Sequence, residues 1–181
     1  DLVSESTWDL VHEGGVKSVN MVIMEEPEHV DRYMKFADKD GEKIEYPGKG
    51  EAVINTALAE QYDLETGDVI TVRDSEMKEI RVSISGIFRN HVYNYVYISP
   101  ETYEDQMGEA PQYKSVYFNL EEGADSHEIS ADLMGDAATA SVTINKDMKN
   151  RISKMMESLN YIVIVVILSA GALAFIVLYN L

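Results

Sequence analysis

Glu25, Glu26, Glu28, His29 and Asp31 put four carboxylates and an imidazole into seven consecutive residues. Such groups can hold a divalent cation or serve a hydrolytic water. Pro27 sits in their midst and marks an exposed turn, where a run of charge is ordinarily solvated. Asp38-Lys39-Asp40-Gly41 shares part of a calcium-loop pattern, but Phe36 stands where the first acidic ligand belongs and no Glu falls at the closing position. It reads as a turn. His91, Tyr93, Tyr95 and Tyr97 alternate with Val92, Val96 and Ile98. On a strand, the tyrosines form either a partner-binding surface or a packed ladder. His12 and His127 have no suggestive neighbours. There is no cysteine, which removes thiolate nucleophiles, thiolate metal sites and a disulfide framework. No glycine-rich phosphate loop, GxSxG or HExxH occurs. The residues therefore assign no catalytic group, no cofactor and no metal, and the one enzymatic reading they leave is a membrane-anchored hydrolase using the Glu25–Asp31 cluster.

The elements that must carry these residues alternate between strand and helix patterns. Strands are predicted at Val19–Met24, Ala52–Ile54, Val69–Arg73, Glu79–Phe88, His91–Ile98, Lys114–Leu120 and Ser141–Ile144. Tyr33–Ala37 and Lys43–Tyr46 flank the Asp38–Gly41 turn as a hairpin. Helices are predicted from an Asn55 or Thr56 cap to Tyr62, after Ser99-Pro100, and over Ser126–Met134. Within Glu79–Phe88 the apolar spacing runs Ile80, Val82, Ile84 and then Ile87. The fold class is α+β, with a mixed, largely antiparallel sheet and short helices, followed by a long stalk helix continuous with a transmembrane helix.

That last helix is the strongest signal. Ile162–Tyr179 is eighteen residues without a charge, about 27 Å of helix and close to the thickness of a bilayer's hydrocarbon core. Tyr161 and Tyr179 flank it as interfacial aromatics do. Inside it, Ala170, Gly171 and Ala174 belong to a small-residue stretch that permits close packing with another membrane helix, or reflects ordinary span composition. Upstream, Met148, Ile152, Met155, Leu159, Ile162 and Val166 are spaced 4-3-4-3-4, a coiled-coil seam. The seam serves either a partner helix or the protein's own domain. Residues 145–180 are predicted as one rod of about 36 residues, roughly 54 Å long. The expected division is 1–16, 17–144 for the domain, 145–160 for the stalk and 161–181 for the span. Asp1 in place of an initiator methionine is read as the start of a fragment.

The net charge is −17, and residues 146–181 hold four bases and two acids, leaving 11 bases and 30 acids elsewhere, a net of −19. Such a body repels nucleic acid and anionic lipid. Lys146, Lys149, Arg151 and Lys154 precede the span, which by the positive-inside rule would put that side in the cytoplasm. Orientation stays open at this point.

Three stretches resemble a known family. Gly50–Val72 (GEAVINTALAEQYDLETGDVITV), Val82–Gly108 (VSISGIFRNHVYNYVYISPETYEDQMG) and Leu168–Leu181 (LSAGALAFIVLYNL) are similar, in this order, to the extracytoplasmic domain and second transmembrane helix of FtsX-like, MacB-type ABC-transporter permeases. The resemblance implies a cell-membrane protein whose main domain is extracytoplasmic, with the stalk bases outside and residues 1–16 the end of a stalk from a first span. It implies as partners the bilayer, other permease helices or a second permease half in a dimer, and a cytoplasmic ATPase subunit that performs the hydrolysis. The stalk seam Met148, Ile152, Met155 and Leu159 would couple that hydrolysis to export or extrusion of a peptide, antibiotic or lipoprotein. The alternative is a single-span, membrane-anchored sensor or binding module.

Overall fold

The computed structural model describes residues 1–12, 15–90 and 92–180. They form two compact units, Asp1–Asn119 and Leu120–Leu181. The short helix Ser126–Met134 and the long C-terminal helix both fall in the second unit.

The first unit is built on seven strands: β1 (Leu2–His12), β2 (Gly15–Met24), β3 (Glu51–Asn55), β4 (Val69–Arg73), β5 (Glu79–Phe88), β6 (Tyr95–Ile98) and β7 (Ser115–Val116). Their spatial order is β2-β6-β3-β5-β4-β1-β7, and β2 also pairs with β1. Six strands therefore close on themselves, with β7 added to the start of β1. Five of the seven pairings are antiparallel; β2–β6 and β3–β5 are parallel. The mixed, largely antiparallel α+β architecture is the one the sequence predicts.

The first residues differ from expectation. In place of a stalk, residues 2–12 are a strand paired to β2 from Val3↔Met24 to His12↔Gly15. The reason is alternation: Trp8 and Leu10 are buried on one side of β1 and Val3 on the other, a period of two that a helix cannot use. Glu13 and Gly14 lie outside the described residues.

Both faces of the closed sheet are apolar. Leu10, Met21, Ile54, Ile70, Ile80, Val82, Ile84, Val96 and Ile98 fill the inside, joined by Leu58 and Ala59 of α1 (Thr56–Tyr62) and flanked by Tyr103 and Met107 of α2 (Pro100–Met107). Val3, Val22, Met24, Val53, Phe88 and Tyr97 face outward and are covered by Val30 and Phe36 from the segment after β2. In that segment the expected hairpin shrinks to a single bridge, Ala37↔Lys43. Lys114–Leu120 likewise keeps only β7, and Ser141–Ile144 is not a strand. The Ser99 cap of α2 is as predicted: its hydroxyl accepts from the Thr102 amide at 3.2 Å.

β5 serves both cores because of a bulge. Its register against β3 slips between Ala52↔Ile84 and Val53↔Gly86. The extra residue reverses the alternation, so Ile84 faces in and Phe88 faces out. Gly86 sits just past the slip, directly under Ile44. A Cβ there would collide with the Ile44 side chain. Gly86→Ala is expected to lower stability by about 1–3 kcal/mol, read as a drop in the thermal unfolding midpoint. Adding Ile44→Ala should return part of the loss relative to Ile44→Ala alone.

Candidate functional site

The acidic cluster does not assemble a site. Glu26 and His29 pair at 2.7 Å between Oε2 and Nδ1. Asp31 turns instead to Lys43, at 2.7 Å. Among the described residues no group of three or more His, Asp or Glu side chains is placed to hold a metal ion. Asp38 is spent on its own turn: Oδ1 accepts from the Asp40 and Glu42 amides, both at 2.9 Å, and Gly41 takes the left-handed φ of 88°. Asp74 builds the same turn between β4 and β5, accepting from the amides of Glu76 and Lys78 at 2.8 Å.

The tyrosines divide. His91 lies outside the described residues, and the expected His91–Ile98 strand starts only at Tyr95. Tyr97 is 5% exposed and belongs to the outer core, so it is no part of a surface. Tyr95 is half-buried and stacks on Tyr97 with ring centroids 6.0 Å apart. Tyr93 is 63% exposed, stands edge-on to Tyr95 at 6.5 Å, and has a φ of 59°. That backbone is held by Asn55, which is fully buried. Its Nδ2 donates to the carbonyls of Asn90 and Tyr93, and its Oδ1 accepts from the Tyr95 amide, all at 2.9 Å. Asn55 stands at the helix start, as predicted, but makes no side-chain cap bond; its amide is committed to the loop before β6. Nothing in the local sequence distinguishes these two uses of an asparagine.

A second polar staple is the partly buried Tyr46. Its hydroxyl donates to the Ile98 carbonyl at 3.0 Å and accepts from the Met24 amide at 3.1 Å. It ties the covering segment to β2 and β6, beside the aromatic cluster in which Phe36 meets Tyr97 at 4.7 Å and Phe88 at 5.1 Å. Burial pushes the Tyr46 and Tyr97 hydroxyls well above their ordinary range.

In the second unit, α3 (Ser126–Met134) is capped by Asp125, whose carboxylate accepts from the His127 and Glu128 amides; these bonds hold it below the usual carboxylate range. His127 Nε2 lies 3.5 Å from Asp147 Oδ2. Asp147 is in the first turn of α4 (Asn145–Tyr179), a single helix of 35 residues. The predicted rod is continuous: no break separates the charged half from the uncharged half. Met148, Ile152, Met155 and Leu159 are 41%, 43%, 69% and 56% exposed. They share one stripe of the helix. Ala170, Gly171 and Ala174 are exposed too, and a Cβ at Gly171 would meet nothing within 4 Å. By length and composition α4 can cross a membrane.

No family model matches the sequence, and no curated protein matches it. Solved structures of low sequence identity do. One is the extracellular domain of the noncanonic ABC-type transporter YknZ from Gram-positive bacteria, at 12% identity and a TM-score of 0.46, covering 64% of this chain and 64% of that one, short of two thirds of its length. Another is a domain from Porphyromonas gingivalis provisionally named as part of a permease protein, at 15% identity and a TM-score of 0.35, covering 74% and 67%.

Two expectations follow. Asn55→Ala strands two carbonyls and an amide, and should cost about 2–3 kcal/mol in chemical denaturation. Stability should also fall at high pH. The unfolded chain releases a tyrosine proton from about pH 10 upward while the buried hydroxyls keep theirs. Their contribution is thus whole below pH 10 and declines above it, by up to about 1.4 kcal/mol per pH unit for each hydroxyl. Denaturation midpoints between pH 9 and 12 should show this slope, and Tyr97→Phe should flatten it.

Proposed function

We propose that this chain is the extracytoplasmic domain, stalk and adjoining span of a permease in an ABC transporter of the FtsX/MacB type. The observation that carries the reading is α4. One unbroken helix of 35 residues runs from a charged half with an apolar seam into eighteen uncharged residues, some 27 Å of membrane-length helix. The order of the three permease-like stretches, Gly50–Val72, Val82–Gly108 and Leu168–Leu181, supports it.

In this reading α4 is the stalk and span. The seam Met148, Ile152, Met155 and Leu159 packs on the stalk of a neighbouring span, from the same permease or a second half. Ala170, Gly171 and Ala174 let another helix approach within the bilayer. A separate cytoplasmic ATPase supplies the hydrolysis, and a stiff stalk carries its motion to the domain, which a flexible tether would absorb. The cargo class is a peptide, antibiotic or lipoprotein.

The absence of cysteine makes the topology directly testable. Single cysteines at Ser126, in the domain-side helix, and at Asn180, at the end of α4, would be probed with a membrane-impermeant maleimide. Ser126→Cys should be labelled on intact cells and Asn180→Cys only after lysis. The opposite pattern, in line with the four bases before the span, would overturn the proposal, as would release of the protein from membranes by alkaline carbonate.

A further inference from the structure

The segment after β2 covers only half of the outer face of the sheet. Val30 and Phe36 bury the half containing Val3, Met24, Val53, Phe88 and Tyr97. The other half can be followed through the register. Asn20 pairs with Tyr95 and Thr7 with Asn20, while Glu5 lies opposite Val22, which itself pairs with Tyr97. Thr7, Asn20, Tyr95 and Glu5 thus share one side of three adjacent strands. Thr7 and Glu5 are exposed, and Asn20 and Tyr95 half-exposed. Tyr93 rises at one border, its ring turned 89° to that of Tyr95. Tyr117 closes the other border, its hydroxyl donating to Glu5 Oε2 at 3.4 Å.

Ring faces set at right angles beside a carboxylate suit a cation. An aromatic face attracts a guanidinium or ammonium group through its quadrupole, and a nearby anion adds to the pull. Burial, and then the charge of Glu5, push the Tyr95 and Tyr117 hydroxyls above their ordinary range, so both rings are neutral at physiological pH. Among the described residues no Lys or Arg pairs with Glu5, whereas Lys43, Lys49 and Lys78 are all held by other acids. The charge of the whole unit favours the same ligand: residues 1–119 contain 24 acids and 11 bases.

We propose that the uncovered strip bounded by Tyr93, Tyr95, Glu5 and Tyr117 is a docking surface for an arginine- or lysine-bearing segment of a protein partner, with the cationic side chain seated between the rings and the Glu5 carboxylate. The inference rests on the first unit alone and does not depend on the permease reading.

The test uses the whole chain in a neutral detergent, with a fluorescent octa-arginine peptide as probe and its uncharged octa-citrulline counterpart as control, at physiological salt. Fluorescence anisotropy should show binding of the arginine peptide and none of the citrulline peptide. Tyr93→Ala and Glu5→Gln should each weaken binding about fivefold. Both side chains are exposed, so the fold should survive, as circular dichroism would verify. Tyr93→Phe keeps the ring face and should bind as the unaltered protein does. Glu65→Gln, in the turn between α1 and β4, removes the same charge outside the strip and should change nothing. The proposal is overturned if the arginine peptide fails to bind, if Glu65→Gln weakens binding as much as Glu5→Gln, or if Tyr93→Ala leaves it unaltered.

Discussion

The ladder between β1 and β2 is the constraint on which the domain rests. Ten pairs, from Val3↔Met24 to His12↔Gly15, bring the two ends of a six-stranded sheet together. Closure satisfies the backbone groups that an open sheet would leave at its edges. It also gives the domain an inside, filled by residues from all six strands. The outer core depends on the same ladder, since Val3, Val22 and Met24 lie back to back with the inner residues of the same two strands.

Polar side chains then fix what packing leaves free. Asn55 sets the loop before β6, and Tyr46 pins the covering segment to the strand ends. Each stands where an apolar residue of similar size would pack but leave buried backbone groups unpaired. Tyr93 owes its position to the first of these. A buried amide in β3 thus determines what the surface beside β6 displays.

Much of this was legible in the sequence, and the failures have physical causes. The β5 strand was readable to its ends, and the step from Ile84 to Ile87 already carried the phase change that the bulge produces. The cap at Ser99 is local chemistry and was readable; α3 was read over its full Ser126–Met134 span, but its cap, Asp125, was not singled out. The C-terminal helix was legible because eighteen uncharged residues need no tertiary context to be recognised. β1 was misjudged because its apolar residues, Val3, Trp8 and Leu10, switch faces between Val3 and Trp8, and because a resemblance to a longer protein suggested a stalk there. Tyr97 was left open between a surface and a packed ladder because alternation reveals which residues share a face but not whether that face is covered; the cover, Val30 and Phe36, is distant in the sequence. The strand expected at Ser141–Ile144 failed for want of a neighbour, since a short apolar run is a strand only where another strand pairs with it.

The pairing of β7 with the start of β1 has a mechanical side. β7 contributes two paired residues, Leu2↔Val116 and Val3↔Ser115, just where the chain enters the closed sheet and leaves it. A pull applied between these two points would peel that short seam one residue at a time, in the direction in which hydrogen bonds resist least. The long ladder behind it would be loaded only after the seam had opened. Under such a pull β7 would part before the ten-pair ladder between β1 and β2.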